Sequence, residues 1–164
     1  MDDDTYTILG CITKYKADDI RPYVESIEQT GFKGRKVMLV YDVPQETIDY
    51  LKSKGWDLFG GELQQHIILQ RFRDLYKLLG SEIKGTVIWT DVKDVIFQKD
   101  PTDWIEHNME DDILSFSECI TFKNDPWACV NAGTSFPMEW EWLQNKTSYC
   151  AGTIVGDACY LRDL

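Results

Sequence analysis

Histidine is almost missing from this sequence: His66 and His107 are the only two in 164 residues. Cysteine is scarce too, and the five thiols (Cys11, Cys119, Cys129, Cys150, Cys159) include no Cys-x-x-Cys pair. A structural zinc ion needs four Cys or His ligands at short spacings, so these two shortages exclude one. The odd cysteine count in a chain of this size predicts free thiols and a reducing compartment, the cytoplasm, or the host cytoplasm if the source is a virus. The sequon Asn145-Lys146-Thr147 alone points the other way. Basic residues are outnumbered 17 to 28 by acids, for a net charge of −11. That excludes nucleic acid and anionic membrane surfaces as partners, since both need a basic face. A phosphate-bearing substrate would have its charge met locally, by a metal ion or a few bases. No apolar run is long enough to span a bilayer, so no membrane insertion is expected. The acidic start, Met-Asp-Asp-Asp, lacks the apolar stretch of a signal peptide. Also missing are a Gly-x-x-x-x-Gly-Lys-Ser/Thr loop and an Asp-x-Asp-x-Thr nucleophile pattern, which removes support for two common phosphate-handling families.

Hydrophobic residues, by contrast, make up 43% of the chain, enough for one ordinary core, so a single domain over 1–164 is expected. Thr5 to Thr13 is apolar and β-branched and predicts a first strand. Asp18 and Asp19 are candidate caps of a helix with Pro22 in its first turn and Gly31 at its end. Lys36 to Asp42 predicts a second buried strand, and Pro44 opens a helix stopped by Gly55. Trp56 to Phe59 predicts a third strand, closed by a Gly60-Gly61 turn. His66 to Leu79 predicts a helix with Ile68, Phe72, Leu75, Tyr76 and Leu79 on its inner face and Arg71, Arg73, Asp74 and Lys77 largely off it. Thr86 to Thr90 predicts a fourth strand, and Asp112 to Phe116 a fifth. Beyond that the alternation fades into an aromatic stretch broken by Pro126 and Pro137, before a short strand at Ala151–Gly156. Strands alternating with helices over short connections predict an α/β fold, a mostly parallel central sheet flanked by helices.

The most informative segment is Gly85-Thr-Val-Ile-Trp-Thr-Asp-Val-Lys-Asp-Val-Ile-Phe-Gln98. A buried strand runs straight into Asp91 and Asp94, and a second apolar run, Val95 to Phe97, follows. Acids placed there sit at the carboxyl edge of the sheet, where open α/β sheets bind ligands. Two carboxylates held close repel unless a cation lies between them. Hard oxygen ligands suit Mg²⁺ or Mn²⁺, ions that commonly bridge protein to substrate phosphate.

This segment, with Asp100-Pro101 after it, resembles the Asp-x-Asp-type metal motif of GT-A fold glycosyltransferases, in the form found in small viral and bacterial members. Arg71-Phe72 resembles the Arg-Phe that precedes the motif strand, and Tyr149-Cys-Ala-Gly-Thr-Ile-Val-Gly156 resembles the downstream Asn-Ala-Gly segment. The resemblance implies a GT-A type domain with a Rossmann-like N-terminal half. It implies a metal-dependent enzyme that moves a sugar from a nucleotide-sugar, a UDP-sugar in the first instance, to a hydroxyl of a glycan or other acceptor. Asp91 and Asp94 would hold Mn²⁺ or Mg²⁺. Thr13, Lys14, Asp42, Arg71, Asp91, Val92, Ala151 and Gly152 would line the nucleotide-sugar site, with Asp42 accepting a ring N–H of the base and Arg71 meeting phosphate or Asp91. Asp157 is the expected catalytic acid or base, with Glu139 and Glu141 as alternatives. Trp127, Trp140 and Trp142 offer flat faces to a sugar acceptor. Two departures stand out: Lys93 occupies the place of a strict Asp-x-Asp's second acid, and Cys150 stands where the family often has Asn. The family commonly continues past the point reached by Leu164, so further domains of a longer protein are expected.

Other roles remain open for several of these residues. Asp42 also fits as the cap of the Pro44 helix, Trp140 and Trp142 as packed core, and Lys93 as a solvated base or a screen for phosphate charge. A nucleotide-binding or scaffolding domain without activity is the alternative for the whole chain.

Overall fold

Residues 6–110 and 112–163 are described by a computed structural model, without the side chains of Ile68 and Ala151. Four parallel strands, β1 (Tyr6–Thr13), β2 (Arg35–Tyr41), β3 (Asp57–Gly61) and β4 (Thr86–Thr90), are joined through α1 (Ala17–Thr30), α2 (Gln45–Ser53) and α3 (Ile67–Leu78). After α4 (Thr102–Asn108) come β5 (Ile113–Thr121), α5 (Pro126–Ser135), α6 (Trp140–Leu143), β6 (Thr147–Asp157) and α7 (Ala158–Arg162). The sheet order is β3-β2-β1-β4-β6-β5.

The described chain forms two compact units, residues 1–114 with 155–164, and 115–154. The first holds the parallel sheet, to which β5 and β6 contribute only their ends. Strand alternation divides its core into two layers. Ile8, Ile12, Met38 and Ile88 face α1, α2 and α4, packing on Ile20, Val24, Ile27, Leu51 and Ile105. Leu9, Val37, Leu39, Val87 and Trp89 face the other way, onto Leu75 and Leu78 of α3 and Ala158 of α7. Each fully buried Ile or Leu here stabilises the fold by about 1.5–3 kcal/mol relative to exposure. This is the α/β, mostly parallel sheet flanked by helices that the alternation predicts.

Several local expectations are corrected. Thr5 lies outside the described residues, and β1 is described from Tyr6. Neither Asp18 nor Asp19 is the cap of α1; Lys16 is, and the Asp19 carboxylate reaches back to accept from the Lys16 amide at 2.9 Å. Pro22 lies inside the helix rather than in its first turn, while Gly31 ends it in the left-handed conformation, as predicted. Asp42 caps nothing: α2 starts after Pro44 without a side-chain cap. Gly60 and Gly61 are the end of β3, paired with Val40 and Tyr41, instead of a turn after it. At Gly60 a Cβ would lie 2.3 Å from the Val40 carbonyl oxygen, so only glycine fits that pairing.

The largest difference is the rotation of α3. Phe72 and Tyr76, predicted inside, are 40% and 59% exposed, while Gln70 is buried. Polar bonds set this rotation. Gln70 Oε1 accepts from the amides of Gln64 (2.7 Å) and Gln65 (3.2 Å), and its Nε2 donates to the Glu62 carbonyl at 3.1 Å. Asp74 accepts from the Tyr41 hydroxyl at 2.8 Å. Each such group left unpaired would cost about 1–3 kcal/mol, and Phe72, though partly exposed, still stacks on the Trp89 ring at 5.9 Å. The same rotation turns Arg71 toward the sheet edge.

In the second unit, the stretch in which the sequence shows no regular pattern is largely helical. Asp125 caps α5, accepting from the amides of Trp127 (3.0 Å) and Ala128 (3.1 Å), and Pro126 takes the first helical position. Just past β5 and just before β6, the Phe122 N–H donates to the Lys146 carbonyl at 3.0 Å. Helix α5 buries only Ala128 and Ala132, so no apolar stripe announced it.

Candidate functional site

The chain leaves β1 for β2 and β3 on one side, then returns to β1's other side as β4. The crevice between the carboxyl ends of β1 and β4 is therefore the point where strand order reverses, the place where open α/β sheets bind ligands. A cleft of about 520 Å³ opens there. β1 and the residues after it contribute Cys11, Thr13 and Tyr15; α3 contributes Ile67 and Arg71; the segment after β4 contributes Asp91 through Asp94.

The acid segment is fixed from three directions. The Thr90 and Tyr23 hydroxyls share a buried hydrogen bond of 2.7 Å, tying the end of β4 to α1. Val92 is buried against β1 at Gly10, where an added Cβ would lie 2.7 Å from Val92 Cγ2. Further on, the Phe97 amide donates to Ser26 Oγ at 3.1 Å, and the Phe97 ring meets Tyr23 edge-on at 5.8 Å. Val95 and Phe97, the second apolar run, are thus packed anchors for an irregular segment.

Arg71 crosses the cleft. Its Nη1 donates to Asp91 Oδ1 at 3.1 Å, and its guanidinium lies over the Phe72 and Trp89 rings at 5.0 and 5.7 Å. Arg71 is 17% exposed, whereas Asp91 is 44% exposed. Two polar atoms of cleft residues, Arg71 Nε and Thr13 Oγ1, are buried without a hydrogen-bond partner. Native interiors rarely leave such atoms unpaired, and a polar ligand seated here would satisfy them. Burial pushes the Cys11 thiol up to about 12, against the pull of Arg71 and with a further rise from Asp91 and Asp74. Cys11 therefore presents a neutral, non-nucleophilic wall.

The donor set suits a hard divalent cation. Asp91 and Asp94 line one cleft, and Arg71 engages only one Asp91 oxygen. Among the described residues no group of three His, Cys, Asp or Glu side chains converges. An ion held here would complete its shell with water and ligand oxygens, the mode Mg²⁺ favours.

Of the residues singled out from the sequence, Thr13, Arg71, Asp91, Val92 and Asp94 meet in this cleft. Val92 does so with its side chain in the core. Lys14 and Asp42 end the neighbouring strands exposed, both with left-handed backbone (φ 58° and 50°), and neither lines the cleft. Strain of this kind in non-glycine residues clusters at functional edges. Gly152 lies in β6 within the second unit, and the Ala151 side chain is outside those described. Asp157, expected as the catalytic group, is corrected. Its carboxylate caps α7, accepting from the Cys159 amide at 2.8 Å. The next residue, Ala158, donates to the Gly85 carbonyl at 2.9 Å, at the amino end of β4. Asp91 follows the carboxyl end of that five-residue strand, which places the two acids on the order of 16 Å apart along it. Trp127 and Trp142 are exposed, whereas Trp140 is half-buried with its ring against Gly133. Glu139 and Glu141 are exposed in the second unit. The sequence reading missed Cys11, Tyr15 and Ile67. Cys11 was legible in principle, two residues before Thr13 and so on the same face of β1.

No protein-family model matches the sequence, and no curated protein shows significant similarity to it. Solved structures do. The glycosyltransferase GlyE of Streptococcus pneumoniae superposes over 96% of this chain and 36% of its own, with a TM-score of 0.56 and 18% identity. The galactosyltransferase LgtC, solved with donor and acceptor sugar analogues, matches 96% of this chain and 60% of its own, with a TM-score of 0.65 and 12% identity. The mannosyltransferase PcManGT of Pyrobaculum calidifontis, solved with GDP-Man and Mn²⁺, matches 93% of this chain and 44% of its own, with a TM-score of 0.52 and 12% identity. The fold is that of GT-A glycosyltransferases, and the chain spans from 36% to 60% of the length of these structures.

Proposed function

We propose that this chain is a glycosyl-transfer domain that binds a nucleotide-sugar, a UDP-sugar in the first instance, in the cleft between β1 and β4. One observation carries the reading. Two acids, an arginine with a buried unpartnered N–H and a threonine with a buried unpartnered hydroxyl all line one cleft at the point of strand reversal. That is the set a diphosphate and its metal require: carboxylates for the cation, and fixed donors for the phosphate oxygens.

In this reading Asp91 and Asp94 hold Mn²⁺ or Mg²⁺, which when bound offsets the negative charge on the departing diphosphate. Arg71 holds Asp91 in place through Nη1 and presents its unpartnered Nε to phosphate. Thr13 offers its hydroxyl beside it. Asp42, exposed at the end of β2, is the candidate partner of a base N–H, with Lys14 at the adjoining strand end. Val92 acts through its position, as the buried residue that keeps Asp91 and, two residues on, Asp94 at the rim. Ala151, Gly152, Trp127 and Trp142 belong to the second unit and are given no part in this cleft. The acceptor is a glycan or another hydroxyl compound. The longer chains that share this fold support further elements completing the acceptor side.

A second reading is a nucleotide-binding domain without activity. It is favoured by one observation: Asp91 and Asp94 are the only carboxylates among the described residues that line the cleft, which leaves no separate base for the acceptor hydroxyl. The two readings part in a single assay. The protein is incubated with a panel of UDP- and GDP-sugars and Mn²⁺, and release of the nucleoside diphosphate is followed. Slow metal-dependent hydrolysis of one donor is expected. Thermal stabilisation by a donor without any hydrolysis would favour the silent binder, and no stabilisation by any donor would overturn both.

A further inference from the structure

Lys93 stands between Asp91 and Asp94 in sequence, yet it forms no ion pair with either, nor with any other described residue. Its Nζ lies instead over the Tyr15 ring, 5.5 Å from the centroid, and both residues line the cleft. Tyr15 is itself fixed by its carbonyl, which accepts from Thr47 Oγ1 at 3.0 Å. An ammonium group beside two carboxylates would normally be drawn to them. Resting on an aromatic face instead has two consequences. The carboxylates are not blocked by a competing cation, and a positive charge is kept within the cleft on a perch worth only about 0.5–1 kcal/mol. The perch is weak enough to leave for a stronger partner.

The charges of the cleft say what that partner is. Arg71 and Lys93 balance Asp91 and Asp94, so the cleft by itself is neutral. A divalent ion balances the diphosphate of an intact nucleotide-sugar. When the bond from the anomeric carbon to the phosphate oxygen breaks, both electrons stay on that oxygen and the diphosphate gains one negative charge. The acceptor oxygen takes over the carbon and gives up its proton to solvent. The new charge falls on the terminal phosphate, and a cation already within the cleft can move to meet it.

Resting on the function proposed above, we propose that Lys93 is that cation. It leaves Tyr15 and donates hydrogen bonds to the terminal phosphate of the nucleoside diphosphate. It remains protonated throughout. In this role it sets the cleft's preference for a diphosphate over a monophosphate, and it does so without the metal.

The test is calorimetric titration of the whole chain with UDP, UMP, GDP and GMP, in Mn²⁺ and again in excess EDTA. Wild type, Lys93→Met and Lys93→Arg are compared. Lys93 is exposed, so neither variant threatens folding. Lys93→Met should weaken the better-bound diphosphate about fivefold, the size of one partly solvated charge contact, and the matching monophosphate less than twofold. Lys93→Arg should restore most of the loss, and the loss should persist in EDTA wherever binding is measurable. Equal effects on di- and monophosphate, or no effect on either, would overturn the role of Lys93 while leaving the proposed function standing. Wild-type protein that binds neither UDP nor GDP would overturn both together.

Discussion

Replacing Gly10 with alanine tests how the acid segment is held, without touching an ionisable group. Gly10 sits inside β1, and a Cβ built on it meets Val92 Cγ2 at 2.7 Å and Met38 Sδ at 3.1 Å. The methionine can move, because its side chain has three soft torsions. Val92 cannot, because it is stiff at χ1 and only 3% exposed. The strain therefore passes to the Val92 backbone and so to Asp91. Overpacking of this kind costs about 1–3 kcal/mol. The lower entropy of the unfolded alanine chain returns about 0.4–1 kcal/mol. A net loss of roughly 1–2 kcal/mol follows, or a fall in Tm of about 2–8 °C for a chain of this size. Differential scanning calorimetry measures it. The expected companion effect is weaker Mn²⁺-dependent nucleotide binding. Adding Val92→Ala should relieve the strain, so that the double variant loses less than the two single losses combined by at least about 0.5 kcal/mol. A Gly10→Ala protein with unchanged Tm and unchanged nucleotide binding would refute the idea that Val92, pressed on β1, positions the acids.

Asp157→Ala should lower stability by about 1 kcal/mol through loss of the α7 cap, and it should leave metal-dependent nucleotide binding as it was; a binding loss would return Asp157 to the site. Gln70→Leu should cost about 2 kcal/mol and speed hydrogen exchange at the Gln64 and Gln65 amides, which would lose their acceptor; unchanged exchange there would show that the segment holds itself. Cys11, its thiol pushed up from 9.0 to about 12 by burial, should react with iodoacetamide at pH 8 far more slowly than exposed Cys119 and Cys159. The sign of its effect on stability follows: between pH 9 and about 12 the unfolded chain releases this proton and the folded chain keeps it, so stability falls as pH rises through that window, and Cys11→Ala should flatten part of the fall.

What the sequence could disclose depended on whether local pattern or distant partners decided the outcome. β4 matched its predicted bounds, Thr86 to Thr90, because a fully buried strand followed by acids leaves little freedom. Gly31 ended α1 as expected, since a left-handed closure is a local requirement. α3 was found, and Leu75 and Leu79 of its expected inner face are buried, but Phe72 and Tyr76 are not: Gln70 bonds to the segment before the helix, and Tyr41 bonds to Asp74, residues 33 apart. No stripe count contains that information. The position of Asp91 and Asp94 at the cleft was legible for the same reason as β4. The Arg71 contact with Asp91 was anticipated as one of two options. Asp157 was misplaced because a strand's direction decides which edge its last residue reaches, and β6 ends at the amino end of β4. The helices of residues 115–154 were missed because α5 buries only two alanines.

Asp91 and Asp94 are proposed to grip a divalent cation together against a nucleoside diphosphate. Electron paramagnetic resonance of free Mn²⁺, titrated into the protein with and without UDP or GDP, measures this directly. Wild-type protein should remove more Mn²⁺ signal in the presence of the nucleotide than protein and nucleotide do separately, and Asp94→Asn and Asp91→Asn should each abolish this excess. The same excess in wild type and in both variants, or none in wild type, would contradict it.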